Sequence, residues 1–254
     1  MNSDQQTGVR ESMEPRWENA EGGGKKADGN LQLYRIDWET AEVSFAKGRM
    51  RQTLRRPTAD EIFKRESDLE QEVPMKADGS YALPDPTVAE AVNAELYDKL
   101  VTETAGEEIE IWDVHKSQAL ESLYSSEIEV EGDALGEEVV IAEEIGSGDW
   151  ADFTVRHILR RPTRAELDSY RRKAAVGSYV KPGKRGRQIL VTRSNLKNIV
   201  PFYDLWTERV DGATVDGEVF SEGNKLKFVG QVDPLVKRKV VQVFAEAIVQ
   251  KLSD

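Results

Sequence analysis

Five residues, Leu54-Arg55-Arg56-Pro57-Thr58, return 105 positions later as Leu159-Arg160-Arg161-Pro162-Thr163. That spacing is too long for a solenoid unit and close to the size of an ordinary domain. The match continues past the string: Glu61 answers Glu166, and Ile62 answers Leu167. Downstream, Tyr97-Asp98 answers Tyr203-Asp204 at an offset of 106, and nine residues beyond each tyrosine stands a glycine, Gly106 and Gly212. Two separated landmarks at nearly one offset lead us to expect a tandem duplication of a domain of roughly a hundred residues. On this reading 1–30 is a disordered polar tail, 31–136 is the first repeat domain and 137–254 the second.

The repeated string has a direct physical reading. Val155, His157 and Leu159 alternate with Thr154, Arg156 and Ile158, the period-two pattern of a half-buried strand; Met50 to Leu54 alternates less cleanly. Proline ends each strand and holds the arginine before it extended. Thr58 with Glu61, and Thr163 with Glu166, have the spacing of a capping box at a helix start. Further apolar periodicity predicts helices over 87–104, 194–210 and 115–128, and one from Pro234 to the C-terminus on the stripe Val236, Val240, Val243, Phe244, Ile248 and Leu252. Strands are expected after the glycines, at 109–111 and 225–229. The expected class is therefore α+β, each copy holding a small antiparallel sheet and about three helices.

Composition narrows the chemistry. Without cysteine there is no disulfide, thiolate metal site or cysteine nucleophile. The two histidines, His115 and His157, have no metal-ligand spacing, and His157 aligns with Gln52 of the first copy. Gly22-Gly23-Gly24-Lys25-Lys26 and Gly183-Lys184-Arg185-Gly186-Arg187 lack the spacing of a phosphate-binding loop. Asp211-Gly212 and Asp216-Gly217 read as turns rather than a calcium loop. No nucleophile elbow is present, and no catalytic, cofactor or metal set is expected. The absence of a long apolar run or an N-terminal apolar region favours a cytoplasmic protein with no membrane partner.

The net charge of −12 argues against a general nucleic-acid binder, but it is unevenly spread. Residues 101–150 carry fifteen acidic side chains and one lysine, whereas 151–200 carry thirteen basic and three acidic. Two candidate partner-binding sets follow. One is the arginine pair of each copy, Arg55-Arg56 and Arg160-Arg161, beside a helix N-terminus whose dipole would prefer an anion. The plain alternative is that these arginines pair with acidic residues of their own domain. The other set is the basic stretch of the second copy, with Arg171, Arg172, Lys184, Arg185 and Arg187. It would suit a nucleic-acid backbone, an acidic patch on another subunit, or the chain's own residues 103–149.

A strand running into Leu-Arg-Arg-Pro-Thr and a capped helix resembles short segments of phage and prophage tail or tail-assembly proteins. The resemblance implies a non-enzymatic virion or assembly component and brings no catalytic residue with it; the location would then be the virion. The leading expectation is a structural or interaction protein using its two domains to contact protein partners or further copies of itself. A nucleic-acid-associated protein is the first alternative. An enzyme or ligand-binding protein with a site between the copies is the weaker one.

Overall fold

A computed structural model describes residues 31–35, 40–124, 126–145, 153–215 and 218–253. The tail 1–30 and the Asp216-Gly217 turn lie outside the described residues. The fold is mixed α+β, with seven described α-helices and small antiparallel sheets.

The first half runs β1 (Leu31–Arg35), β2 (Thr40–Phe45), β3 (Met50–Arg55), α1 (Ala59–Asp68), β4 (Glu72–Pro74), α2 (Pro86–Leu100), β5 (Val101–Gly106) and α3 (Asp113–Leu123). The second runs β6 (Glu127–Glu131), β7 (Glu138–Ile145), β8 (Phe153–Arg160), α4 (Arg164–Ala174), β9 (Tyr179–Pro182), β10 (Gln188–Val191), α5 (Leu196–Trp206) and β11 (Thr207–Asp211). It closes with a short hairpin, β12 (Thr214–Val215) and β13 (Glu218–Val219), then α6 (Lys225–Gln231) and α7 (Pro234–Ser253). One four-stranded sheet has the order β1-β2-β3-β5 and the other β6-β7-β8-β11. Because β6 pairs with β7, the second sheet begins ahead of residue 137.

Details recur between the two sheets at offsets of 105 and 106. Each long helix passes into its strand without a loop, and the first strand residue donates back to the tyrosine carbonyl, Val101 to Tyr97 and Thr207 to Tyr203. The register of β3 with β5 slips at Thr102, and that of β8 with β11 slips at Glu208. Gly106 and Gly212 both have positive φ, +93° and +82°. A Cβ on either would lie 2.1 Å from the Arg49 carbonyl oxygen or 2.3 Å from that of Thr154, so the neighbouring strand leaves room for glycine alone.

Several expected elements differ. The helix expected over 87–104 ends at Leu100, and the one over 194–210 ends at Trp206. Val101, Thr102 and Thr104, like Thr207 and Val210, are β-branched and enter the sheet, so the strand precedes each glycine rather than following it. Residues 107–112 form no regular element. The expected strand 225–229 is helix α6: Leu226 is 87% exposed while Phe228, Val229 and Val232 are buried, a helical rather than alternating pattern. The expected helix 115–128 ends at Leu123, and 127–131 is strand β6. Pro201 sits inside α5 without dividing it. The C-terminal stripe holds, with Val236, Val240, Phe244 and Ile248 buried.

The halves share their interior. Leu196, Val200 and Leu235 pack into the core formed by Val43, Leu54, Ile62, Tyr97 and Leu120. β4 joins β10 and β9 in a three-stranded sheet across the seam, with Val73 opposite Leu190. Glu66, 12% exposed, accepts from Ser194 Oγ at 2.6 Å and from Arg238 at 3.3 Å, besides its bond to Arg65. Tyr124 donates to Asp233 at 3.2 Å, and its backbone carbonyl accepts from Lys239. These six polar groups are thus bonded to one another across the seam.

Candidate functional site

The arginine pairs come first, since both sit where a strand meets a capped helix. Arg55 grips Glu61 with both terminal nitrogens, at 2.6 and 2.9 Å, and Arg160 grips Glu166 likewise at 2.7 and 3.0 Å. The same carboxylates close the capping boxes, accepting from the Thr58 and Thr163 amides at 2.8 Å, while the threonine hydroxyls accept from the Glu61 and Glu166 amides at 3.3 Å. A carboxylate at a helix N-terminus suits the dipole, and the arginine fork neutralises its outer side. Arg55 and Arg160 are therefore spent inside their own halves. Arg161 donates to the Leu135 carbonyl at 3.2 Å, and Arg56 is half-buried near Tyr124 and Tyr203.

This clamp has an acid signature. Arginine and threonine contacts hold the Glu61 and Glu166 carboxyls down to about 2, well under the ordinary 4.5. A folded-state value below the unfolded one stabilises fully above about pH 4.5, and that contribution drains away as pH falls toward 2. Glu61→Gln and Glu166→Gln are each expected to cost about 1–2 kcal/mol at neutral pH and to flatten the loss of stability between pH 4.5 and 2. Urea unfolding across that range checks this; unchanged acid limbs would mean that the clamp is ornamental.

Among the described residues, His157 is the feature that resembles catalytic machinery. It is wholly buried on β8, with Nδ1 2.6 Å from Tyr203 Oη and Nε2 3.3 Å from Glu143, itself 1% exposed on β7. Burial pushes the Tyr203 hydroxyl far above the ordinary phenol value, so it stays protonated and able to donate to Nδ1; in the tautomer that accepts there, Nε2–H faces Glu143. An acid–imidazole–phenol chain is chemically able to move a proton. Here, however, every member is buried, and Tyr203 belongs to the core cluster that holds Trp206, Val210 and Phe244. In the first half Tyr97 donates instead to Gln52 Oε1 at 2.7 Å, and Phe45 meets the Tyr97 ring edge-on at 6.3 Å. The strand pairings set Phe45 opposite Met50 and Glu143 opposite Val155, so a phenylalanine holds the carboxylate's place. Alternation of Val139, Ile141 and Glu143 on one strand face was the signal for Glu143, hidden among many acidic neighbours.

The remaining candidates lie on α4 and on the β9–β10 hairpin that follows it. Arg171, Arg172 and Lys173 occupy the last turn of α4, where cations complement the helix dipole. The hairpin β9–β10 carries Lys181 and, at a 3₁₀ tip spanning Lys184–Gly186, Lys184 and Arg187; the Arg185 side chain lies outside those described. Asn195 donates to the Ala174 carbonyl at 3.0 Å and the Arg193 amide to Ser178 at 3.4 Å, which ties the helix end to the hairpin base. Arg193 lies 5.1 Å over the ring of the exposed Tyr179. Lys181 pairs with Glu72, Arg193 with Glu70, and Arg171 weakly with Asp168 at 3.9 Å. Arg172, Lys184 and Arg187 are exposed and join no ion pair among the described residues. Of the acidic residues in 103–149, Glu131 pairs with Arg156 at 2.9 Å, but none reaches this surface in a described ion pair.

No group of described residues is placed to hold a metal ion, and no described helix is long and apolar enough to cross a membrane. No family model, curated protein or solved structure matches the chain.

Proposed function

We propose that this protein is a non-enzymatic interaction or structural component, built from two duplicated domains, whose second domain docks an anionic partner through the surface formed by α4 and the β9–β10 hairpin. One observation carries the reading: the exposed cations Arg172, Lys184 and Arg187 join no ion pair among the described residues of a chain of net charge −12, while Arg55 and Arg160 are consumed by carboxylates of their own half. Duplication is supported by the recurrence of the clamp, the register slip, the buried tyrosine bond and the positive-φ glycine at offsets of 105 and 106. Burial of the Glu143–His157–Tyr203 chain speaks for a packing role rather than catalysis. Among such roles we favour a virion or assembly component, in the cytoplasm until assembled, on the resemblance of the Leu-Arg-Arg-Pro-Thr segments to phage tail proteins.

Nucleic acid is the second reading, favoured by the arginine content of the surface. Retention on an immobilised polyanion tests docking in general. Despite its net negative charge, the protein should be held on polyglutamate or heparin-like resin at low salt and released by about 0.5 M salt, where screening is nearly complete within a few ångströms. Arg172→Glu/Lys184→Glu/Arg187→Glu should pass straight through. Equal retention of parent and variant would remove this surface from the function.

A further inference from the structure

We propose that the anionic partner is a second copy of this chain: the basic surface of its second half seats the acidic segment 107–113 of the next copy, head to tail. The inference rests on the docking role of that surface and names its occupant.

Charge asymmetry is the first support. Residues 31–124 hold twenty acidic and eleven basic side chains, whereas 125–254 hold twenty-one and twenty, with 156–197 alone carrying thirteen basic and two acidic. On the acidic side Glu108, Glu110 and Asp113 are exposed and join no ion pair among the described residues; Glu107 pairs with Arg49. With a Debye length of about 8 Å at physiological ionic strength, each face answers to what touches it rather than to the charge of the whole chain.

Apolar exposure at both faces is the second. Trp112, 66% exposed and stacked flat on His115, stands amid Glu107, Glu108, Glu110 and Asp113. Tyr179 and Val180, 42% and 48% exposed, stand beside the cations of the hairpin. An apolar centre with a charged rim, built on Trp, Tyr and Arg, is the anatomy of a protein–protein contact. Matching the two buries both aromatic groups and pairs both sets of charges.

The backbone excludes strand addition as the binding mode. The Gly183 amide donates to the Arg187 carbonyl, and by register Tyr179 and Lys181 turn their backbone groups to β10. Val180 and Pro182 therefore face outward, and proline has no N–H, so the open edge offers a single amide donor. Recognition falls to side chains. Duplex nucleic acid would use the cations but leave the Trp112 face idle, and the Tyr179 ring already carries Arg193 on one side. Since the two faces differ, the contact is heterologous and propagates into a ring or an open filament.

Light scattering on the full chain tests this. At micromolar concentration and about 0.1 M salt the mass should exceed the 28.6 kDa of one chain, and return to it near 1 M salt. Lys184→Glu/Arg187→Glu and Glu108→Lys/Glu110→Lys should each weaken association at least about tenfold, and mixing the two variants should restore it. A monomer at every salt concentration, or assembly that neither variant disturbs, would overturn the proposal. So would a failure of mixing to rescue, or a monomer that binds duplex DNA through the same cations. A monomeric protein still held on polyglutamate would lose this occupant while keeping the docking role.

Discussion

Gly106→Ala and Gly212→Ala are each expected to destabilise the protein by roughly 3 kcal/mol or more, and by similar amounts. Two costs combine at each site. Positive φ strains any side chain by about 1–2 kcal/mol. The added Cβ also meets a carbonyl oxygen at 2.1 or 2.3 Å, which forces β5 from β3 or β11 from β8. Gly79→Ala provides the control: its φ is +84°, yet nothing lies within 4 Å, so only the backbone strain of about 1–2 kcal/mol applies. Urea midpoints of the three variants separate the terms. Gly106 and Gly212 variants as mild as Gly79→Ala would mean that the strands do not approach as described.

His157→Leu is expected to cost about 3–5 kcal/mol, because it removes the imidazole partner of the buried Glu143 and of the Tyr203 hydroxyl together. His157→Gln should recover at least half of that loss. The first half demonstrates the chemistry: Gln52 accepts from Tyr97 and donates onward to Thr104 at 3.3 Å. An amide, like an imidazole, presents an acceptor at one end and a donor at the other. Thermal or urea unfolding of both variants checks this. Equal losses would show that imidazole shape, not its hydrogen bonds, holds this part of the core.

Much of the frame was legible in the sequence. Thr58 with Glu61 and Thr163 with Glu166 mark their helix starts because capping is a local interaction decided within four residues. The β8 alternation was clear for the same reason. Helix ends were harder to read: Val101 and Thr207 continue an apolar helical period, and only pairing with β3 and β8, half a chain-unit away, draws them into a sheet. Helix α6 was misread because Lys225 to Val229 alternates in hydropathy, while burial of Phe228 and Val229 against the second core decides its shape.

At the candidate site, the sequence offered two fates for the arginine pairs. Arg55 and Arg160 follow the plain one, pairing with a carboxylate of their own half; that carboxylate lies six residues ahead and also closes the cap. Arg172 lies on α4, and Lys184 and Arg187 at the hairpin tip; the helix end is tied to the hairpin base by tertiary contacts with no local signal. The shared residues mostly fold the two halves. On the proposed function, recognition falls to the residues where they diverge.

That division is tested most directly by the urea midpoint of Arg172→Glu/Lys184→Glu/Arg187→Glu. Cations surplus to folding should leave stability within about 0.5 kcal/mol of the parent, as surface changes generally do. A loss above about 2 kcal/mol would mean that these side chains hold the fold, and would contradict their assignment to a partner.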